Sequence, residues 1–363
     1  MPTITSIATT VPGFSATQAE VKAAFRPLFP LGGRRLDAAM ALFDHAQIET
    51  RHSVLALPEI GQRRTLTETM RVYADSAREL GQRVARDCLR RAGVAPTEVD
   101  LVVTVSCTGI MIPSLDAYLM NELGMRRDVR RLPITELGCV GGAAAVARAA
   151  DHLRGWPGHR ALVVSVELPS LSLQPLDTSQ DSLVSSAIFG DGAAAVLIAG
   201  DGVTCARARD RDRDRDAEAV RILDTISHTI FASTHALGFD LHEDGFHPVL
   251  AKDVPALLRA EIGGVVGTLT ERAGIRPDEL SALVLHPGGR KVLNAVEEAL
   301  GLTRETTQPS WDILREYGNQ SSASVLFVLD RWLKDRRPTP GTLGLMAAFG
   351  PGLSAEVLLL QWT

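Results

Sequence analysis

Cysteine is scarce in this sequence of 363 residues. Only Cys88, Cys107, Cys139 and Cys205 occur, with no CxxC pair among them. That excludes a disulfide-stapled scaffold, a zinc ribbon and a thioredoxin-type motif. It is the usage of a reduced, cytoplasmic protein. Also lacking is any apolar run near the ~18 residues needed to span a membrane. The opening MPTITSIATTVPGF has no basic segment followed by an apolar stretch, so no signal peptide is expected. There is no excess of positive charge: Lys plus Arg is 38, Asp plus Glu is 43, and the net charge is −5. A mildly acidic chain is not built as a general nucleic-acid binder. Hydrophobic residues make up 45% and charged residues 22%, which excludes a disordered chain.

What is present alternates between two textures. LVVTVS (Leu101–Ser106), ALVVSVE (Ala161–Glu167), AAAVLIAG (Ala193–Gly200), SALVLHP (Ser281–Pro287) and AEVLLLQW (Ala355–Trp362) are short apolar runs, suited to strands buried on both faces. Arg71–Ala92, Ala143–Leu153, Lys291–Leu300 and Ser324–Leu333 have helical spacing. The alternation predicts an α/β architecture with covered sheets. The length exceeds the ~250–300 residues at which a single core stops growing, so two halves are expected. The charged stretch Arg207–Ala219 holds no apolar side chain larger than alanine, which makes it a solvated loop and the expected boundary between residues 1–219 and 220–363.

Three Gly-rich turns carry the reactive side chains. LGCVGG (Leu137–Gly142) puts Cys139 before an alanine-rich helix, where the helix dipole favours a thiolate. LHPGG (Leu285–Gly289) puts His286 at the end of a buried strand, and YGNQSSAS (Tyr317–Ser324) puts Asn319 before another helix. Read singly, these are also a buried structural cysteine, a satisfied histidine and a helix N-cap. Together they suit a thiolate nucleophile with two donors for a carbonyl oxygen that becomes negative. No metal site is expected: HEDGFH (His242–His247) spaces its histidines i, i+5, not the i, i+4 of a helical zinc site.

These turns, with SCTGIMIPS (Ser106–Ser114), IFGDGAAA (Ile188–Ala195) and FGPG (Phe349–Gly352), resemble type III polyketide synthases of the chalcone/stilbene synthase family over nearly the whole chain. The resemblance implies a thiolase-like fold, with two similar α/β halves in an α-β-α-β-α arrangement, and a homodimer. It implies that Cys139 carries the growing acyl chain. His286 and Asn319 then support decarboxylation of malonyl-CoA, and no cofactor is needed beyond the CoA thioesters. Pro175–Ala195 and LGFDLHEDGF (Leu237–Phe246) are similar to bacterial alkylpyrone and alkylresorcinol synthases. That similarity implies an aliphatic acyl-CoA starter, a long apolar tunnel and a pyrone or resorcinol-type product.

The same resemblance implies a substrate pocket of Cys107, Thr108, Ser172, Phe189 and Ser321. Phe189 is one gate aromatic. At the second gate the sequence has Pro248, with Phe246 two residues away as a partial substitute. Ile112 is implied to cross into the partner's cavity, with a cis Ile112–Pro113 bond. Three basic CoA contacts of the plant enzymes read Ala38, Ala41 and His45 here; Arg34, Arg35 and Lys291 are candidate replacements. This departure leaves room for an acyl carrier protein as donor. Two rival readings stay open: a single-condensation enzyme of the 3-oxoacyl-[acyl-carrier-protein] synthase III kind, and a non-catalytic acyl-binding subunit.

Overall fold

The apolar runs of the sequence are strands because each can bury both of its faces only between layers of helices. The computed structural model describes residues 1–174, 176–203 and 219–363. Among the described residues the strands are β1 Thr3–Thr10, β2 Phe14–Thr17, β3 Thr50–Ser53, β4 Leu101–Val105, β5 Arg130–Ile134, β6 Arg160–Glu167, β7 Gly192–Ala199, β8 Val220–Thr229, β9 Leu237–His242, β10 Gly245–Leu250, β11 Leu280–Leu285, β12 Leu343–Gly350 and β13 Ser354–Trp362. The α-helices are α1 Gln18–Phe25, α2 Gly33–His45, α3 Leu57–Ile60, α4 Leu66–Ala92, α5 Leu115–Leu123, α6 Gly141–Gly155, α7 Gln180–Ile188, α8 Val254–Ala273, α9 Arg290–Leu300, α10 Gln308–Tyr317 and α11 Ser324–Arg331. Helix α4 starts a turn earlier than its apolar spacing indicates. The capping box of Thr65 and Glu68 satisfies its first N–H groups there.

Nine strands form one mixed sheet in the order β11-β12-β13-β8-β1-β7-β6-β4-β5. The first half of the chain supplies β1 and β4–β7, and the second supplies β8 and β11–β13. They meet where β1 pairs with β8, Thr3 opposite Arg221 and Ile4 opposite Val220. Helices α6 and α11 touch strands of both halves and lie between them. Their apolar faces share one core with Val103, Val163, Val284 and Leu358. A second core lies under α4 and a third under α8 and α9. The result is the expected sequence of layers: α4, strands, α6 with α11, strands, α8 with α9. The expected boundary stretch lies outside the described residues, apart from Ala219.

The central layer is closely packed. Gly142, in the first turn of α6, lies against Ser322 just before α11. A Cβ added to Gly142 would stand 2.0 Å from the Ser322 carbonyl oxygen. Gly142→Ala should therefore destabilise the fold by about 1–3 kcal/mol, the usual cost of overpacking. Gly264→Ala on α8, where an added Cβ meets nothing within 4 Å, should stabilise it by about 0.5–1 kcal/mol. Denaturant unfolding of both variants checks the contrast.

Candidate active site

Each reactive residue sits where a buried element stops. Cys139 lies in the short turn Gly138–Val140 that leads into α6. Gly138 has φ +56, and a Cβ there would meet Pro351 of the FGPG segment at 2.4 Å, so a glycine is required. His286 follows β11 and is fixed by its backbone N–H, which donates to the Ala347 carbonyl at 2.8 Å. Asn319 is bound to the FGDG segment on both sides of its peptide. Its N–H donates to Ile188 O at 2.8 Å, and its carbonyl accepts from Gly190 N–H at 3.0 Å.

These three side chains, from distant parts of the sequence, line one cavity. The cavity holds about 780 Å³ of empty space, counting its open mouth. Cys107, Thr108, Phe189, Pro248 and Ser321 also line it. The Asn319 Oδ1 accepts from Ser321 N–H at 2.8 Å, and its Nδ2 donates to Gly288 O at 3.2 Å. That orientation fixes the amide as a donor on its nitrogen side. Ser321 holds φ +50, an uncommon backbone conformation for a residue with a side chain. Its hydroxyl lies 3.5 Å from Cys139 Sγ and 3.2 Å from Cys107 Sγ, so one hydroxyl connects two sulfurs. His286 is 2% exposed, and neither ring nitrogen has a partner. Both are free to meet a substrate.

Burial decides the protonation of the pair. It pushes the Cys139 thiol up to about 11, against the lowering effect of hydrogen bonds from Ser321 and Asn319. It pushes His286 down to about 3. The expectation that the start of α6 eases ionisation of Cys139 is corrected here. Loss of hydration in a buried pocket outweighs the helix dipole, whose effect is ~0.3–1 kcal/mol. Burial thus works against the charged form of both groups. A neutral imidazole keeps one N–H, which can donate to a carbonyl oxygen as that oxygen gains charge.

Several other expectations divide. Ser172 lines a second cavity of about 660 Å³, again counting its open mouth, and its hydroxyl has no partner. The two cavities share a wall of Pro169, Ser185, Phe189, Phe239 and Pro248. Phe246 lines neither cavity, contrary to its expected role as substitute for the missing gate aromatic. The aromatic beside Pro248 is Phe239, its direct partner across the β9–β10 hairpin. A cross-strand neighbour is closer than one two positions along the same strand. Phe246 instead stands edge-on to Phe239, with ring centres 5.9 Å apart. Ile112 is 93% exposed, lines neither cavity of its own chain, and precedes a cis bond to Pro113. Arg34, Arg35, His45 and Lys291 are all exposed and line neither cavity. Cys88 is buried in the core, and Cys205 lies outside the described residues.

One residue was missed. Glu167, the last residue of β6, is fully buried behind Cys107. It accepts from the hydroxyls of Thr108, at 2.8 Å, and Ser322, and from the Cys107 N–H at 3.1 Å. Thr108 therefore spends its hydroxyl on Glu167. The signal was present: a carboxylate closes an otherwise apolar strand, and such a charge is rarely buried without partners. Burial raises its pKa to about 7, opposed by these hydrogen bonds.

A thiol, an imidazole and a carboxamide lining one cavity, in a fold of two thiolase-like halves, fit a condensing enzyme. Comparisons with known proteins agree. Residues 38–202 match the N-terminal domain, and residues 223–362 the C-terminal domain, of chalcone and stilbene synthases. The chain is 38% identical over 321 residues to a 1,3,6,8-tetrahydroxynaphthalene synthase of Streptomyces peucetius, covering 88% of this chain and 82% of that one. It is 33% identical over 334 residues to a phloroglucinol synthase of Pseudomonas fluorescens, covering 91% and 90%. The crystal structure of the tetrahydroxynaphthalene synthase of Streptomyces coelicolor, a bacterial type III polyketide synthase, superposes with a TM-score of 0.91 at 31% identity, covering 99% of both chains. This chain belongs to the chalcone and stilbene synthase family and is a type III polyketide synthase, a decarboxylating condensing acyltransferase. That sets aside the single-condensation and acyl-binding readings. Among the described residues no helix is long and apolar enough to cross a membrane.

The raised pKa of Glu167 gives a pH test. Its folded-state value of about 7 exceeds the usual 4.5. The fold thus favours the protonated form, and stability is lost as the pH rises from 4.5 through about 7. Glu167→Gln should remove this slope and leave only an offset that is constant with pH. Unfolding free energies of both proteins at pH 5 and pH 8 measure it; equal slopes would reject the shift.

Proposed function

We propose that the protein loads an aliphatic acyl-CoA starter onto Cys139 and extends it by repeated decarboxylative condensation with malonyl-CoA. It then releases a pyrone or a resorcinol-type product. The carrying observation is the shared cavity of Cys139, His286 and Asn319. In this reading Cys139 Sγ attacks the starter thioester, forms a new S–C bond and expels CoA thiolate. The thiol proton passes to the leaving sulfur through the buried polar groups beside it. Malonyl-CoA then enters, and its C–C bond breaks to release carbon dioxide. The electron pair left behind forms an enolate, whose oxygen accepts from the His286 imidazole N–H and the Asn319 amide. The enolate carbon attacks the acyl group on Cys139, forming a C–C bond while the C–S bond breaks and Cys139 departs as thiolate, free to take the chain back from CoA for a further round. Tethering makes that step effectively intramolecular.

An aliphatic starter is supported by the second cavity, with Val21, Phe25, Leu57, Ile60 and Leu173 in its walls. A chain bound at Cys139 would reach it past Phe189 and Phe239. The relatives named above support a second reading. They are named for tetrahydroxynaphthalene and phloroglucinol, aromatic polyols with no alkyl tail, which this chain would assemble from malonyl units alone. We also propose a homodimer, in which the exposed Ile112 enters the partner's cavity; a cytoplasmic location; and no cofactor for the condensation itself. For CoA, or a carrier protein as donor, the candidate contacts are Arg34, Arg35, His45 and Lys291. These are the exposed cations and imidazole on α2 and at the start of α9.

Mass spectrometry of products formed from malonyl-CoA with acyl-CoA starters of two to sixteen carbons tests the reading. Alkylated products should appear with the longer starters. Products from malonyl-CoA alone, with acyl-CoA ignored, would favour the second reading. Cys139→Ala should abolish all condensation, at least 1,000-fold, as expected for removal of a nucleophile. Phe239→Ala should shift the preferred starter to longer chains, because it opens the wall between the cavities. An unchanged preference would remove Phe239 from the gate.

A further inference from the structure

The hairpin of β9 and β10 has two different faces. Leu237, Phe239, Pro248 and Leu250 alternate onto one face and line the cavity of Cys139. The register Asp240 opposite His247 and His242 opposite Gly245 puts the histidines on the other face. There the rings of His242 and His247 stack, with centres 4.2 Å apart. Asp244, in the turn, comes within 3.0 Å of His247 Nε2. One ligand atom from each of His242, Asp244 and His247 lies within 4.8 Å of the others.

We propose that His242, Asp244 and His247 form a binding site for one divalent transition-metal ion of the zinc class on the outer face of this hairpin. The donor set of two imidazoles and one carboxylate suits Zn²⁺. A tetrahedral ion with bonds of ~2.0–2.1 Å holds its donors ~3.3 Å apart. The His247–Asp244 pair, at 3.0 Å, is within a few tenths of an ångström of that separation, and the exposed His242 ring lies within 4.8 Å of both.

A further contact fixes His247 for the task. Its Nδ1 lies 3.3 Å from the Asp177 carboxylate, on the loop before α7. A ring that donates its Nδ1–H to a carboxylate presents the Nε2 lone pair to a metal, the usual support of a histidine ligand. Asp177 is itself held, accepting from the Ser179 N–H at 2.8 Å. Gln174, on the same loop, reaches toward the hairpin and donates to the Asp244 carbonyl at 3.4 Å. An ion here would stand between Nε2 and Asp244 and tie the hairpin turn to this loop. The sequence spacing excluded a helical zinc site. A hairpin brings i and i+5 together by a different route, diagonally across two strands.

Titration of the full-length protein with Co²⁺, as a coloured stand-in, and with Zn²⁺ by calorimetry tests the proposal. One equivalent should bind, with visible d–d absorption of a nitrogen and oxygen site. His242→Ala and Asp244→Ala, both at exposed positions, should each weaken binding at least tenfold while leaving the circular dichroism unchanged. His152→Ala removes the separate imidazole pair of His152 and His159, 3.1 Å apart, and should not change the affinity. The proposal is overturned by absence of binding, by less than tenfold loss in both hairpin variants, or by loss in His152→Ala. A strong thiolate-to-cobalt band in the near ultraviolet would also overturn it, because that signals capture by Cys107 and Cys139.

Discussion

The contact between the start of α6 and the turn before α11 is the constraint on which the site depends. Gly142 lets the backbone of one half approach the Ser322 carbonyl of the other with no side chain between. Cys139 lies three residues before this contact and Asn319 three residues before its partner. The distance between sulfur and carboxamide is therefore set by backbone packing, not by flexible side chains. The bonds from Asn319 to Ile188 and Gly190 extend the same frame to Phe189. A site held from the main chain keeps its geometry while substrates of different size come and go.

Burial then sets the chemistry. Burial raises the thiol and lowers the imidazole, so it opposes the charged form of each. Charge that develops on a carbonyl oxygen there would meet donors already in place, without reorganisation. Glu167 is the contrasting case, a carboxyl kept in the interior by a shell of hydroxyls and one N–H. Its oxygens engage Thr108 and Cys107, so the polar wall of the cavity is organised from behind. Ser321 joins that wall to Cys139 through its contacts with both sulfurs.

The hairpin of β9 and β10 shows how one two-stranded element can serve two surfaces. Side-chain alternation sends Phe239 inward and His242 outward from the same strand. Whatever holds the outer face therefore bears on the inner wall, because the two faces share one backbone. The register also explains which aromatic stands beside Pro248. Proline at position 248 leaves space that Phe239 fills from the neighbouring strand, with Phe246 behind it.

Much of this was legible in the residues. Apolar runs such as Leu101–Val105 become strands because a continuous apolar segment has nowhere else to go. The glycine turns around Cys139, His286 and Asn319 marked the reactive positions, since close backbone approach requires glycine whatever the context. Other features were not legible. Which aromatic stands beside Pro248 depends on cross-strand register, and register is a property of the pair of strands. That the Cys139 thiol is pushed up depends on desolvation by residues far away in the chain. That Glu167 lies behind the cavity depends on which hydroxyls surround it once β6 is covered. The sequence by itself determined the layers and the identity of the reactive groups, because both follow from local periodicity and local chemistry. Only the tertiary structure decided their protonation, their neighbours and the shape of the space between them, because those arise from contacts between residues far apart in the chain.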